Sequence, residues 1–264
     1  MAEETALLII DAQNDFCDPE GALYVPGAEN DMARLADFIR SNAHQLEEIY
    51  FTLDSHVPNA IFHPNWFRNA ENNTPEPFTQ IQAEDVEKGT WKPVFAEEHT
   101  LGYLRQLEQD GGITHTIWPQ HCLIGTPGHN VYPPLYTALE EWTKATQRRL
   151  KPVPKGLNPY TEHYGIFAAE VQLQGHPETQ VNETLLKELA AFDQIILAGE
   201  AKSHCVGASV RQVLEFAPEL AKKLTLLSDC TSPVTGFEDI ATPTYDQARQ
   251  KGMRTAKSEA LSLA

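Results

Sequence analysis

Along this chain, short apolar runs alternate with stretches whose apolar residues recur at helical spacing. Ala6–Ile10, Ile49–Leu53, Gln194–Ala198 and Leu224–Leu227 are compact apolar runs that read as buried strands. A helix is expected over Glu29–Leu46, with Met32, Leu35, Phe38 and Ile39 on one face. Further helices are expected over Leu135–Ala145, Asn182–Ala191, from Ser203 to Phe216, and over Thr244–Gly252. Leu150–Pro154 is short and extended, and its two prolines suit a sheet edge or a strand end. Ile113–Ile117 reads as a strand entering Trp118-Pro119. Such alternation predicts an α/β fold, a parallel sheet with helices on both faces. The stretch Pro58–Gly112, rich in Pro, Asn and Glu, resists assignment to the core apart from a short helix within Leu101–Leu107. Its Trp66, Phe67, Phe78 and Trp91 predict that residues 64–112 pack as a lid or an oligomer contact.

Composition narrows the class. The chain has 264 residues, enough for one large α/β domain with a substantial core. Its formal charge of −17 is spread without a long acidic block, which argues against nucleic acid or an anionic membrane as a partner. No apolar run is long enough to span a bilayer, and the start does not read as a signal peptide. Cys17, Cys122, Cys205 and Cys230 are widely spaced and lack a CxxC pair, so no disulfide framework is expected and a reducing cytoplasm is the default location.

Candidate chemistry collects where the apolar runs stop. After Gln194–Ala198 comes a polar turn and then a helix opening near Ser203, which puts the Cys205 thiol in a first helical turn at the carboxyl end of a strand. Ligands of open α/β sheets bind at that edge, and a helix N-terminus favours a thiolate. A small buried cysteine packing at the junction is the bland alternative. Asp11, directly after the first strand, could take a proton from a thiol, or could simply shape a turn. Asp54 and His56 lie two apart at a strand end, His63 follows a Pro-containing loop, and Trp118-Pro119-Gln120-His121 adds another imidazole. One carboxylate and three imidazoles suit Zn²⁺, with Fe²⁺ or Mn²⁺ as alternatives. Any one of these histidines is more often an ordinary surface or hydrogen-bonded residue. Lys155-Gly156, also at a strand end, could offset negative charge in a cleft.

Taken in order, Asp11-x-Gln13-Asn14-Asp15-Phe16, Asp54-x-His56, Trp118-Pro119-x-His121-Cys122-x-x-Gly125-Thr126-x-Gly128, Lys155-Gly156 and Ser203-His204-Cys205-Val206 resemble the cysteine hydrolases of the isochorismatase-like superfamily. Within it the chain is most like the nicotinamidase/pyrazinamidase family. The resemblance implies a three-layer α/β/α fold around a mostly parallel central sheet, in a single domain with an insertion at about 64–112. It implies an Asp11–Lys155–Cys205 triad, and a divalent metal held by Asp54, His56, His63 and His121. Backbone N–H groups of Ala201 and Cys205 would form an oxyanion hole beside a cis Glu200–Ala201 peptide. Phe16 and Trp118 would flank a flat ring, with Tyr164 and His204 completing the substrate pocket.

The implied activity is hydrolysis of a small amide, nicotinamide to nicotinate and ammonia, through a Cys205 thioester, in a cytoplasmic homo-oligomer serving NAD salvage. Alternatives are hydrolysis of a carbamoyl or ureido compound, or an inactive binding member. Three departures bear on the substrate: Lys202-Ser203 stands where the family has Thr-Asp, Gly165 where it has Ser, and His63 lies one residue further from His56 than expected.

Overall fold

The structure, a computed structural model, describes residues 3–110 and 114–263. In chain order the elements are β1 (Thr5–Ile10), α1 (Asn14–Cys17), α2 (Ala28–Ser41), β2 (Leu46–Asp54), β3 (Phe67–Arg68), β4 (Gln80–Ile81), α3 (Ala83–Glu87), β5 (Lys92–Pro93) and α4 (Glu97–Asp110). They continue with β6 (His115–Thr116), α5 (Pro133–Thr146), β7 (Leu150–Lys155), α6 (Glu183–Ala190), β8 (Gln194–Gly199), α7 (Gly207–Phe216), β9 (Leu224–Leu227), α8 (Thr242–Gln250) and β10 (Arg254–Ala256). Among the described residues the main sheet has six strands in the order β10-β9-β8-β1-β2-β7, and every pairing is parallel. This is the expected three-layer α/β/α architecture.

Strand alternation sorts the core into two halves. Leu7, Ile9, Ile196 and Ala198 point to one face, where α2 and α5 cover them with Met32, Leu35, Leu135 and Leu139. Ala6, Leu8, Ile10, Ile195 and Leu197 point to the other, against Leu185 and Leu189 of α6 and Val210 and Val213 of α7. The two central strands β1 and β8 are buried at every position, which is why they read as unbroken apolar runs. Gly199 ends β8 at φ +115°, where a Cβ would meet the Ile10 backbone, so β1 and β8 can approach closely at the edge that carries the chemistry.

Several boundaries differ from expectation. The helix expected over Glu29–Leu46 stops at Ser41, because Asn42 caps it by returning its side-chain amide to the Phe38 carbonyl at 2.9 Å, and Leu46 already opens β2. Cys205 lies in a wider π-helical turn, Lys202–Val206, that precedes α7. The strand expected over Ile113–Ile117 begins outside the described residues. Its described part, β6, pairs antiparallel with β4 in a small separate ribbon and not with the main sheet. No described helix is long and apolar enough to cross a membrane.

The described part of the 64–112 segment, residues 64–110, belongs to the packed body. Trp66, Phe67, Ile81, Tyr103 and Leu104 are buried in the same cluster as β1 and α2. The indole of Trp66 donates to the Thr100 hydroxyl at 3.0 Å and meets the Phe95 ring edge-on. Phe78 is half exposed and sets its ring edge-on to Trp118, with centroids 5.7 Å apart. If this segment is structural, Trp66→Ala costs about 3–5 kcal/mol in urea unfolding. A change below about 1 kcal/mol would identify it as a loosely attached cover.

Candidate active site

The carboxyl edges of β1, β2, β7 and β8 converge, and each delivers one candidate. Asp11 follows β1, Asp54 ends β2, Lys155 ends β7, and Cys205 lies just beyond β8. All four are buried. The Lys155 ammonium lies 2.9 Å from Asp11 Oδ2, 3.0 Å from Asp54 Oδ1 and 3.8 Å from Cys205 Sγ, and donates to the His163 carbonyl at 3.0 Å. Burial works to lower the lysine, but Asp11 and Asp54 more than reverse this, so it remains a cation. Burial raises the Asp11 carboxyl, against the pull of Lys155 and of the Thr52 hydroxyl. Burial likewise pushes the Cys205 thiol well up, despite Lys155. The resting sulfur is therefore a thiol, not the thiolate that a helix N-terminus alone would favour, and a reaction at sulfur needs a base within reach. Asp11 is that neighbour, with a carboxylate oxygen within 4.8 Å of the sulfur.

Residues without an assigned role in the sequence reading hold these groups in place. Thr52, one pleat before Asp54, donates its hydroxyl to Asp11 Oδ1 and accepts the Asp11 N–H at 2.9 Å. Gln13 clamps the Asp54 backbone from both sides, donating to its carbonyl at 2.8 Å and accepting its N–H at 2.7 Å. Asp15 accepts the Cys122 N–H at 2.6 Å, which fixes the loop bearing His121. Gly128 leaves room for that carboxylate, since a Cβ there would collide with it.

A second cluster adjoins the first through Asp54. Ligand atoms of Asp54, His56 and His121 lie within 4.8 Å of one another. His56 Nδ1 faces the Gly156 carbonyl at 3.2 Å, His121 Nδ1 the Pro119 carbonyl at 2.8 Å, and His63 Nδ1 the Pro58 carbonyl at 3.3 Å. A carbonyl only accepts, so each Nδ1 carries a hydrogen, and in a neutral ring Nε2 keeps its lone pair. Burial works to lower His121, but Asp54 more than reverses this and raises it. Burial lowers His56, and His63 to about 3, so both rings stay neutral, the form that binds a metal. His56 Nε2 is then an acceptor 2.9 Å from the acceptor Asp54 Oδ2, with no hydrogen-bond partner of its own. A cation between them would satisfy both. The residues present thus fit a divalent metal. His63 belongs to the same ring cluster, with centroids 5.8 and 5.7 Å from His56 and His121, and its buried Nε2 is also unpartnered. It lies outside the tighter Asp54–His56–His121 group.

The remaining candidates line a cavity of about 30 Å³ over Cys205, among them Phe16, Trp118, Tyr164, Ala201 and His204. The Trp118 indole donates to the Tyr164 hydroxyl at 3.0 Å, and His204 meets Trp118 edge-on at 5.1 Å. Tyr164 and His204 also border an outer cavity of about 350 Å³. Glu162 lines the inner cavity and escaped the sequence reading. Burial raises its carboxyl to about 7, and Oε2 is unpartnered. The turn after β8 is pinned by N–H bonds from Gly199 to Cys230, Glu200 to Ile10 and Lys202 to Ser232, and the Glu200–Ala201 peptide is cis as expected. Between them the Ala201 N–H makes no such bond among the described residues.

Two departures from the family pattern have local reasons. A Cβ at Gly165 would strike Gln212, whose side chain accepts the Phe167 N–H at 2.9 Å and returns to the Ala168 carbonyl at 2.7 Å. Ser203 uses its hydroxyl to accept the Val234 N–H at 3.0 Å.

This edge gathers the thiol, acid, lysine and neighbouring histidines on a parallel six-stranded sheet whose fold is that of solved nicotinamidases and of an isochorismatase family protein. The chain's relatives are nicotinamidases: it is 24% identical over 234 residues to the nicotinamidase of Saccharomyces cerevisiae, covering 89% of this chain and 90% of that one. It is 27% identical over 228 residues to the nicotinamidase of Escherichia coli, covering 85% and 81%. Among solved structures, the yeast nicotinamidase bound to the inhibitor nicotinaldehyde superposes with a TM-score of 0.63 at 18% identity, over 96% of this chain and 99% of that one. The pyrazinamidase of Pyrococcus horikoshii in complex with zinc gives 0.56 at 18%, over 96% and 99%. No protein-family model matches the chain.

The metal reading has a direct test at Gly156. Its φ is +72°, and a Cβ would lie 2.6 Å from both Asp54 Oδ1 and His56 Cε1. Gly156→Ala is expected to fold but to bind Zn²⁺ at least about 10- to 100-fold more weakly in calorimetric titration. Wild-type affinity in that variant would remove Asp54 and His56 from the ligand set.

Proposed function

We propose that the chain is a metal-assisted cysteine amidohydrolase whose substrate is nicotinamide or a close aromatic carboxamide. The observation that carries this reading is the Lys155 ammonium, within 2.9–3.8 Å of Asp11, Asp54 and Cys205. It joins a nucleophile–base pair to the histidine cluster. The likeness to nicotinamidases along most of the chain supports the substrate class.

Asp11 takes the proton from Cys205, and Lys155 holds the resulting charges. The sulfur attacks the carboxamide carbon, and the oxyanion is received by the Ala201 and Cys205 N–H groups, a contribution of about 3 kcal/mol for one good donor. The C–N bond then breaks as Asp11 gives its proton to the leaving nitrogen, releasing ammonia and leaving a thioester. Water attacks the thioester carbon as Asp11 accepts its proton; the C–S bond then breaks, Asp11 returns that proton to the sulfur to restore the thiol, and the acid product departs as its carboxylate. Asp54, His56 and His121, with His63 beside them, would hold the divalent metal, Zn²⁺ being the first choice. When bound, it supplies a Lewis acid that orients a ring nitrogen or a water. Phe16 and Trp118 would flank the ring, with Tyr164 and His204 completing the wall of the cavity over Cys205.

On this reading residues 1–264 act as one hydrolase domain, and residues 64–112 wall the Trp118 side of the pocket. The setting is a cytoplasmic homo-oligomer in NAD salvage. A carbamoyl or ureido hydrolase would keep the triad but has no evident use for the histidine cluster.

Wild-type protein is expected to release ammonia from nicotinamide, and Cys205→Ala to do so at least about 10⁴-fold more slowly. Unchanged release from the variant would exclude the thiol as nucleophile. Purified chain is also expected to carry about one transition metal, with turnover lost on chelation and restored by Zn²⁺. Full turnover of nicotinamide by metal-free protein would favour a different substrate orientation.

A further inference from the structure

Beneath the oxyanion turn lies a second buried pair of acids that the mechanism does not use. Glu200 is fully buried and Asp31, on α2, is 2% exposed. Both meet the loop after β9, Glu200 through the Ser232 N–H and Asp31 through Arg34, which donates to the Asp229 carbonyl. Glu200 Oε2 accepts the Ser232 N–H at 3.0 Å, and Asp31 Oδ1 pairs with Arg34. That leaves Glu200 Oε1 and Asp31 Oδ2, each buried and each without a donor. Two carboxylate oxygens cannot satisfy one another without a hydrogen.

Among the described residues, Arg34 with Asp31 is the one ion pair made by either acid. Arg34 is already engaged, with Asp31 and with the Asp229 carbonyl. The other titratable neighbours are Cys17 on α1, Cys230 and Asp229 after β9, and Tyr245 on α8. Burial pushes Cys17, Cys230 and Tyr245 all upward, so they are neutral. One guanidinium facing two enclosed carboxyl groups leaves one charge too many.

We infer that Asp31 and Glu200 share one proton, Glu200 holding it as a neutral acid that donates to Asp31, and that this pair positions the Ala201 N–H over Cys205. Burial and the nearby Asp31 charge raise Glu200 well above the usual glutamate range, in agreement. The coupling to the turn is direct. Glu200 precedes Ala201, its carboxyl accepts Ser232 N–H, and the Ser232 carbonyl accepts Lys202 N–H at 2.9 Å. Glu200 thus ties both sides of the Ala201 peptide to α2 and to the loop after β9. It is a positioning residue that touches no substrate.

The sign of the linkage follows. Above pH 4.5, the ordinary glutamate value, the unfolded chain has lost the proton that the native pair keeps, so stability falls as pH rises towards the native titration point. Glu200→Gln offers an amide that can donate to Asp31 and accept from Ser232 without a titrating proton. Its folding equilibrium constant relative to wild type should therefore rise about tenfold per pH unit within that window, read by denaturant unfolding. The infrared spectrum of wild type minus Glu200→Gln should contain the carbonyl band of a protonated acid. A pH-independent stability difference, or no such band, would overturn the shared proton.

The positioning role rests on the amidohydrolase reading. Glu200→Ala should lower kcat for nicotinamide at least about tenfold with KM little changed, short of the roughly 100-fold that losing an oxyanion donor costs, and Glu200→Gln should recover most of it. Wild-type kcat in Glu200→Ala, or equal losses in both variants, would overturn the positioning. Should wild type not hydrolyse the amide at all, the failure belongs to the substrate reading, because stability and infrared measure the proton independently.

Discussion

The buried ammonium of Lys155 is the interaction on which the site depends. Asp11 and Asp54 are carried by adjacent strands to one edge of the sheet and enclosed there. Two carboxylates in that position repel, and burial penalises each. A cation 2.9 and 3.0 Å from them makes the arrangement tenable. The same cation faces the Cys205 sulfur, so the charge that offsets the acids would, on the proposed mechanism, also offset charge developing on that sulfur. The lysine is held by the His163 carbonyl at the end of an edge strand, and its position is set by the register of β7 on β2, which pairs Lys155 with Asp54.

Much of this was legible because the chemistry sits where apolar runs stop. β1 and β8 are apolar along their whole length, so Asp11 and the Gly199–Cys205 turn stand out as abrupt polar breaks. Asp54 and His56 have the same visibility at the end of β2. Among the described residues β7 pairs only with β2, at an edge of the main sheet, and the prolines in its sequence suit such an edge. In such a fold one local pattern predicts both the strand and the position of its last polar residue.

What was hidden has a common character: residues that matter only through distant contacts. Thr52 is an ordinary strand residue by pattern, and its bond to Asp11 depends on the pairing of β1 with β2. Glu162 lies in an irregular loop that no periodicity marks, yet folding buries it against the histidine cluster. Glu200 follows a strand in what reads only as a polar turn, yet folding buries it completely. The 64–112 segment was opaque because its ribbons are two residues long, too short for alternation to register, while its buried aromatics answer to the main core. At Cys205 the pull of a helix terminus was legible in the sequence, and the burial that pushes the thiol up against it was not.

The central claim is that one cation supports both the nucleophile–base pair and the metal cluster. Lys155→Met keeps the length and removes the charge. The most direct test measures kcat for nicotinamide and bound metal per chain on the same folded preparation of that variant. Both are expected to fall at least about tenfold, as befits the loss of the partner of two buried acids. Retention of wild-type kcat, or of full metal content, in a folded Lys155→Met protein would contradict the account.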